Sequence, residues 1–162
     1  MIMLTEKRIS AVAVCYKDEG NVRPLVERLT AMFKNVTPNY EIIIVNDASP
    51  DNSEKILREI AAEDPHVTVI IQARNFGAQA AFTAGMIQAN GDAVVLMDGD
   101  LQDPPELVPT FVEKWLEGYE VVYGVRRHRE KSMSSLNQWL YHMFYVFFRR
   151  LSYVKMPLDA GE

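Results

Sequence analysis

Short runs of apolar residues alternate with longer segments in which apolar positions recur every three or four residues. The runs have the length and the β-branched content of buried strands. They are Ile9–Cys15, Glu41–Asn46, Val67–Gln72, Ala93–Met97 and Glu120–Tyr123. The alternation of strands and helices predicts an α/β fold, in which a mostly parallel sheet is covered by helices on both faces.

The first two predicted helices are amphipathic. Asn21–Lys34 carries one apolar stripe, which consists of Val22, Leu25, Val26, Leu29, Met32 and Phe33. Ser49 before Pro50 is typical of a helix start, with serine as the N-cap and proline in the first turn. We therefore expect the second helix to begin there and to bury an apolar face formed by Ile56, Leu57 and Ile60.

Two further helix boundaries have signals in the sequence. The alanine-rich segment Ala78–Asn90 is followed by Gly91, which predicts a helix that stops at a glycine. Asp103 and Glu106 have the three-residue spacing of a capping box at the start of another helix. These two acids are therefore expected to have a structural role, although they lie close to Asp98 and Asp100, which are interpreted differently below.

Chemically distinctive side chains follow four of the predicted strands. They are Tyr16, Lys17 and Asp18 after the first strand, Asp47 after the second, Arg74, Asn75, Phe76 and Gly77 after the third, and Asp98 and Asp100 after the fourth. An open parallel sheet binds ligands beyond the carboxyl ends of its strands, near the point where the strand order reverses. The sequence therefore predicts that these residues meet at one edge of the sheet.

Asp98 and Asp100 are the candidate metal ligands. Residues two apart on an extended strand share a face, so both carboxylates can point into one cleft. Gly99 between them allows a ligand to approach the backbone closely. With the amide oxygen of Gln102 nearby, these hard oxygen ligands suit Mg2+ or Mn2+ that also holds a substrate phosphate. The competing interpretation is that the two acids only solvate a turn.

The chain changes character after the fifth predicted strand. Four basic residues crowd together in an otherwise acidic protein, and they are Arg126, Arg127, Arg129 and Lys131. Arginine binds phosphate oxygens through two parallel hydrogen bonds, so the cluster is a candidate anion site. The alternative is a solvated run of charge.

An aromatic segment, Leu136–Leu151, follows the basic cluster. It is expected either to pack in a core or subunit contact, which makes a homo-oligomer one interpretation, or to form an interfacial helix. In the second case Arg149 and Arg150 at its end would reach phospholipid head groups.

Composition excludes several classes. The net charge of -5 over 162 residues argues against nucleic acid as a partner, because non-specific binding needs a basic surface. The single cysteine, Cys15, cannot form an internal disulfide, which favours a cytoplasmic location. No apolar run approaches the roughly 20 residues of a membrane span. A chain of this length and composition is expected to be one globular domain.

Two enzyme classes fit the motifs less well. No Gly-x-Gly-x-x-Gly follows the first strand, which excludes a dinucleotide-binding oxidoreductase of the usual type. A phosphohydrolase with an acidic metal site would need two aspartates spaced by one residue after the first strand, and Tyr16, Lys17 and Asp18 do not provide that pair.

Five stretches of the chain resemble family 2 of the glycosyltransferases, which has the GT-A fold. The stretches are Val12–Val22, Tyr40–Asn52, Arg74–Gly85, Met97–Glu106 and Val121–Arg126, with Pro157–Glu162 as a further short match. Within the family the chain looks most similar to the branch of polyprenyl-phosphate glycosyltransferases and dolichyl-phosphate mannose synthases. The resemblance implies a nucleotide-diphosphate sugar as donor and a divalent metal as cofactor.

The resemblance also implies roles for individual residues. The donor-binding set would be Tyr16, Asp18, Asp47, Arg74, Asp98 and Gly99. Tyr16 and Asp18 would lie beside the base and ribose, and Asp47 would accept a hydrogen bond from the base ring. Asp98, Asp100 and Gln102 would hold the metal, and Arg126 would face the acceptor phosphate with Arg127, Arg129 or Lys131. The catalytic residues would be Asp98, Asp100 and Arg126.

The implied reaction is an inverting transfer of a hexose from a UDP-sugar such as UDP-glucose to a polyprenyl-phosphate lipid. An alcohol acceptor would instead require a carboxylate base, for which Asp159 is the candidate, and a nucleotide-binding module without activity is a third interpretation. Residues 1–162 would form one catalytic domain, with the nucleotide-sugar part at 9–131 and an acceptor-facing, membrane-facing or oligomer-contact helix within 132–162.

The chain departs from the family's usual pattern in four places. Val14 stands where proline is usual, Lys17 where asparagine is usual, Asp18 where glutamate is usual, and Asn46 where the first acid of an Asp-Asp pair is usual. Members of the branch continue with further helices and often carboxyl-terminal membrane spans. The resemblance therefore implies that the chain is incomplete at its carboxyl end and works at the cytoplasmic face of a membrane.

Overall fold

A computed structural model describes residues 3–124 and residue 143 of the chain. Its centre is a sheet of four parallel strands in the order β3-β2-β1-β4. The strands are β1 (Ile9–Cys15), β2 (Tyr40–Asn46), β3 (Val67–Ile71) and β4 (Ala93–Asp98). The chain builds outward from β1 to β3 and then returns to the other side of β1, so the strand order reverses between β1 and β4. Ligand-binding crevices of α/β sheets lie at such a reversal.

Helices cover both faces of the sheet, as the sequence predicts. They are α1 (Val22–Phe33), α2 (Ser53–Glu63), α3 (Ala78–Gln88) and α4 (Val108–Leu116), with a 3-10 turn at Pro105–Leu107 before α4. Alternate residues of a strand point to opposite faces. Ala11 and Ala13 share one core with buried residues of α1, α2 and α4, whereas Val12 and Val14 share a second core with Ala81 of α3.

The chain divides into two compact units, Met1–Tyr119 and Glu120–Glu162. All four strands lie in the first unit. Among the residues that the structure describes, no helix is long and apolar enough to cross a membrane.

The predicted core of the sheet is confirmed. The four strands match their predicted bounds to within one residue at each end. Helix α1 begins one residue inside its predicted start and buries the whole predicted stripe, which is Val22, Leu25, Val26, Leu29, Met32 and Phe33. Strands β1 and β2 could be predicted because their continuous burial leaves an unbroken apolar pattern, and α1 could be predicted because its buried face leaves an apolar stripe.

The fifth predicted strand, Glu120–Tyr123, is wrong. Residues 121–124 have no regular secondary structure, and 78% of Val121 and 56% of Tyr123 is exposed. A strand is stabilised by hydrogen bonds to a neighbour and by burial of one face. In the part of the chain that the structure describes, no strand pairs with these residues, so their β-branched and aromatic composition alone was misleading.

One predicted helix start is also wrong. Helix α2 begins at Ser53 rather than at Pro50, because the carboxylate of Asp51 accepts hydrogen bonds from the Ser49 hydroxyl and from the Ser53 amide and so holds the preceding residues in a loop. The helical segment expected after Asp103 opens with the turn at Pro105, and the Glu106 carboxylate binds the Arg28 guanidinium of α1 through two hydrogen bonds.

Glycine is needed at position 91 for a different reason from the predicted helix stop. Helix α3 ends at Gln88, and Gly91 does not adopt a left-handed conformation. Instead, a Cβ at this position would lie 2.7 Å from both the amide nitrogen and the hydroxyl of Ser10. Glycine is therefore needed because the chain passes closely over the start of β1 as it enters β4.

A buried carboxylate joins the elements at the amino-terminal edge of the sheet. Glu41 is only 8% exposed, and it accepts hydrogen bonds from the Ser10 hydroxyl at 2.6 Å, the Asn90 amide at 2.7 Å and the Arg8 guanidinium at 2.8 Å. Burial alone would raise the pKa of Glu41, but these hydrogen bonds and the Arg8 charge hold it below its ordinary value of 4.5. The network links β1, β2 and the loop before β4.

We expect Glu41→Gln to lower the free energy of unfolding at neutral pH by about 2 kcal/mol, because hydrogen bonds to a buried charged group are the strong ones. A carboxyl whose pKa is lowered on folding stabilises the folded state above its unfolded pKa, and this contribution is lost as the pH falls through the folded pKa. The difference between wild type and variant should therefore shrink below about pH 4.5. Urea unfolding across this range measures it, with Glu63→Gln in an exposed ion pair as the control. An unchanged difference down to pH 2 would contradict this role of Glu41.

Candidate functional site

The loops at the carboxyl edge of the sheet share an unusual backbone feature. The residues with positive φ in these loops are Lys17 (64°), Ala48 (52°), Gly77 (89°) and Leu101 (64°), and each follows a different strand. Left-handed conformations cost energy for residues other than glycine and tend to persist where function requires a particular loop shape. Among the described residues, every non-glycine residue with positive φ lies in one of these loops.

The end of β4 is fixed against β1 at the point where the strand order reverses. Asp98, the last residue of β4, is exposed and is paired in register with Val14. The Gly99 amide donates a hydrogen bond of 2.8 Å to the Val14 carbonyl oxygen. A Cβ at Gly99 would lie 2.5 Å from that oxygen, so only glycine allows the chain to leave β4 along this path. The structure thus places Asp98 at the reversal of strand order, where the topology predicts a ligand-binding crevice.

Asp100 and Gln102 follow Gly99 in the loop after β4. The Asp100 carboxylate accepts a hydrogen bond of 2.9 Å from the backbone amide of Gln102, and Leu101 between them has a φ of 64°. A carboxylate offers about four lone-pair directions, so one amide bond leaves Asp100 able to coordinate a cation. Asp100 is half-buried and Gln102 is exposed.

The donor atoms at this position fit a metal of one particular kind. Among the described residues, no group of three or more His, Cys, Asp and Glu side chains could hold a metal ion on its own. Mg2+ and similar cations are commonly bound by one or two carboxylates, with water and substrate phosphate completing the shell. Two carboxylates and an amide oxygen at an exposed strand end suit that arrangement and not an all-protein cage.

Asp47 lies deeper than the sequence indicated. The residue is 2% exposed, and its two carboxylate oxygens accept hydrogen bonds from the Phe76 amide at 2.8 Å and the Gly77 amide at 2.9 Å. Its own amide donates to the Cys15 carbonyl oxygen at 3.1 Å. Asp47 therefore joins the ends of β1 and β2 to the loop that leads from β3 into α3. Sequence reasoning identified the residue and missed this anchoring.

The loops after β1 and β2 are held together by side chains that the sequence analysis did not select. The Lys17 amide donates to the Ser49 hydroxyl at 2.7 Å, and the Glu19 amide donates to Asp51 at 3.1 Å. Burial would raise the pKa of Asp51, but hydrogen bonds from Ser49 and Ser53 hold it at about 2. The sequence signal was present, because serine and aspartate two residues apart are typical of polar turns. It was interpreted as a helix start.

Tyr16 and Asp18 occupy the exposed side of the same loop. The Asp18 carboxylate accepts a hydrogen bond of 3.1 Å from the Tyr16 amide, and 41% of Tyr16 is exposed. The Lys17 ammonium lies 5.3 Å from the centre of the Tyr16 ring. The structure therefore places both predicted donor-binding residues at the carboxyl edge of β1, next to Asp47.

Arg74 and Phe76 form a similar pair beyond β3. The Arg74 guanidinium carbon lies 4.6 Å from the centre of the Phe76 ring, and 51% of Phe76 is exposed. The Asn75 side-chain oxygen accepts a hydrogen bond of 3.1 Å from the Gly77 amide. Arg74 was predicted from the sequence as a donor-binding residue, whereas Phe76 was not assigned a role.

The predicted acceptor-phosphate residues lie outside the described residues. They are Arg126, Arg127, Arg129 and Lys131, and the candidate base Asp159 lies outside as well. Of the aromatic segment Leu136–Leu151, the structure describes only Met143, which is in a helix and 50% exposed.

The chain is similar in sequence to known proteins. Residues 10–160 match the profile of the family described as Glycosyl transferase family 2. The undecaprenyl-phosphate 4-deoxy-4-formamido-L-arabinose transferase of Proteus mirabilis is 44% identical over 126 residues, which cover 77% of this chain and 39% of that protein. The chain spans less than half of the length of the curated relatives that it matches most strongly.

Solved structures of similar fold are more distant in sequence. The mannosyltransferase PcManGT from Pyrobaculum calidifontis, solved with GDP-Man and Mn2+, aligns with a TM-score of 0.62 and 19% identity over 90% of this chain and 39% of its own. The glucosyl-3-phosphoglycerate synthase from Mycobacterium tuberculosis, solved with Mn2+, UDP and glucosyl-3-phosphoglycerate, aligns with a TM-score of 0.54 and 24% identity over 69% of this chain and 40% of its own. These alignments confirm the predicted GT-A fold.

Proposed function

The chain belongs to glycosyl transferase family 2, and from that premise we propose that it transfers a hexose from a UDP-sugar to a polyprenyl-phosphate lipid. The observation that carries the proposal is the position of Asp98, Gly99 and Asp100 at the reversal of strand order. A relative that is 44% identical is named an undecaprenyl-phosphate 4-deoxy-4-formamido-L-arabinose transferase, which supports the acceptor class. UDP as the donor nucleotide is supported by the glucosyl-3-phosphoglycerate synthase structure, which contains it.

A divalent cation is part of the proposal. Asp98 and Asp100 would hold it through carboxylate oxygens, with Gln102 as a third ligand, and both of the solved structures described above contain Mn2+. Such a cation neutralises the negative charge that develops on a departing nucleoside diphosphate. The same residues suit Mg2+, because hard oxygen ligands bind both ions.

The donor would extend along the carboxyl edge of the sheet. Its diphosphate would lie at the end of β4, and its base would lie toward Asp47 and Tyr16 at the ends of β2 and β1. Asp18 and Arg74 lie on the loops that flank Asp47 and would contact the nucleoside. Gly99 lets the chain leave β4 on the path that places Asp98 and Asp100 here, since a side chain at this position would collide with the Val14 carbonyl oxygen.

The acceptor needs little activation under this proposal. A lipid phosphate is already anionic at neutral pH, so no strong general base is required and the protein has only to orient it. Arg126 would bind this phosphate, supported by Arg127, Arg129 and Lys131. Attack in line with the departing diphosphate would invert the configuration at the sugar carbon. The enzyme would work at the membrane surface, where such a lipid is found.

A transfer assay tests the proposal. The chain is incubated with radiolabelled UDP-glucose, Mn2+ and vesicles that contain polyprenyl phosphate, and we expect label in the lipid. Arg126→Ala should reduce the rate about 10- to 100-fold, as expected for loss of a charge-assisted hydrogen bond. Arg58→Ala on the exposed face of α2 is the control. Label transferred only to a soluble saccharide would indicate an alcohol acceptor, and UDP binding without transfer or hydrolysis would indicate a binding module.

A further inference from the structure

Two exposed aromatic rings lie on either side of Asp47. Strand β2 lies between β1 and β3, so the loop that contains Asp47 lies between the loop that carries Tyr16 and the loop that carries Phe76. The two rings are 41% and 51% exposed. A large ring at the surface gains little from burial, so these two rings are available for contact with a ligand.

The loop that carries Phe76 is held by a buried charge. Both oxygens of the Asp47 carboxylate are hydrogen-bonded to consecutive amides of this loop, at Phe76 and Gly77. Charge-assisted hydrogen bonds to a buried group are strong, and Gly77 adopts a φ of 89° that few other residues tolerate. The backbone under the Phe76 ring is therefore fixed, although the ring itself is exposed.

Both rings have a cation close by. The Arg74 guanidinium carbon lies 4.6 Å from the centre of the Phe76 ring, and the Lys17 ammonium lies 5.3 Å from the centre of the Tyr16 ring. The two loops thus present the same combination, a flat ring beside a positive charge, toward the edge of the sheet. Nucleobases stack on such side chains, because every base has a π face.

The order of the strands indicates which part of a nucleotide would meet these rings. The Asp98 and Asp100 pair follows β4, on the other side of β1 from Asp47 and Phe76. Neighbouring strands are about 4.8 Å apart, so the edge from β4 to β3 spans roughly 14 Å. A nucleoside diphosphate that is held by its phosphates at β4 would carry its base toward β2 and β3.

We propose that Phe76 is a base-binding residue of the donor site, and that its ring packs against the nucleobase from the β3 side while Tyr16 lies on the β1 side. Asp47 is the positioning residue for this contact, because it fixes the Phe76 and Gly77 amides. The inference rests on the proposed function, since it requires a nucleotide donor.

Calorimetric titration of UDP in Mn2+ tests the proposal on the full chain. Phe76→Leu should weaken UDP binding about ten-fold or more, as expected for loss of one stacking contact. Phe76→Tyr should restore binding, because tyrosine keeps the flat ring. Phe82→Leu is the matched control, since Phe82 packs on the second core beneath α3. Thermal unfolding of each variant verifies that it is folded.

Binding of inorganic pyrophosphate in Mn2+ distinguishes a base contact from a change in the loop. We expect it to be equal in wild type and Phe76→Leu. If both variants at position 76 bind UDP as wild type does, or if pyrophosphate binding falls together with UDP binding, Phe76 does not bind the base. If wild type binds pyrophosphate but neither UDP nor GDP, the proposed function itself fails, and the inference fails with it.

Discussion

Asp98→Asn and Asp100→Asn should each weaken UDP binding in Mn2+ at least about 100-fold and leave the residual binding in EDTA unchanged. Substitutions in the outer shell of a metal site commonly cost about 10- to 100-fold in metal affinity, and a ligand itself should cost more. Asparagine keeps the shape of the side chain and removes its charge, so the variants report on the cation. Calorimetry in Mn2+ and in EDTA measures both quantities.

Asp92→Asn is the matched control for these two variants. Asp92 lies just before β4, at the opposite end of the strand, where its carboxylate accepts a hydrogen bond from the Arg8 amide. This change should leave UDP binding unaltered in either condition. Equal UDP binding by wild type, Asp98→Asn and Asp100→Asn, with metal and without it, would contradict a metal site at the end of β4.

Asp47→Ala should weaken UDP binding by about 1.5–3 kcal/mol or more, while pyrophosphate binding in Mn2+ changes little. The substitution removes both bonds to the Phe76 and Gly77 amides and the acceptor that the family resemblance assigns to the base. It should also lower the melting temperature, because the Phe76 amide loses its partner and the Gly77 amide keeps only its bond to Asn75. Calorimetry and thermal unfolding together measure the two effects.

A double-mutant cycle separates the two ways in which Asp47 could act. If Asp47 acts through Phe76, the loss of UDP affinity in the Asp47→Ala/Phe76→Leu variant should be smaller than the sum of the two single losses. Full additivity would mean that Asp47 acts on the base independently of Phe76. Asp64→Ala serves as the control. Asp64 lies in the loop before β3, at the opposite edge of the sheet from Asp47, and its carboxylate is hydrogen-bonded to His66. UDP affinity that stays unchanged in Asp47→Ala would rule out both roles.

Strands β1 and β2 could be predicted from the sequence because they are buried along most of their length. All seven residues of β1 are buried, and its pattern is therefore continuous and easy to recognise. The segment Glu120–Tyr123 has similar composition but no partner strand in the described part of the chain. Composition reports the tendency to be extended, whereas a strand also requires a neighbour.

The site could be predicted only in outline. Parallel strands bring their carboxyl ends to one edge, so Asp47, Asp98 and Asp100 could be selected from their positions alone. The bonds from Asp47 to Phe76 and Gly77 join residues about 30 positions apart, and no local pattern reports them. The contacts of Ser49 and Asp51 with the loop after β1 likewise join residues 32 positions apart.

One departure from the family pattern has a structural explanation. Asn46 stands where an acid is usual, and it is fully buried. Its side-chain oxygen accepts a hydrogen bond of 2.8 Å from the Ser49 amide, as a carboxylate there could, whereas its side-chain nitrogen is buried with no hydrogen-bond partner among the described residues. Asparagine thus keeps the bond to the loop that contains Asp47 and leaves one buried donor unpaired.

The proposed donor site requires that the chain bind a nucleoside diphosphate through a divalent cation. Calorimetric titration of wild type with UDP, first in Mn2+ and then in excess EDTA, measures this in one experiment. We expect saturable binding of one UDP per chain in Mn2+, and a large loss of affinity in EDTA. Absence of binding by UDP and GDP in both conditions, or UDP binding that is unaffected by EDTA, would contradict the account.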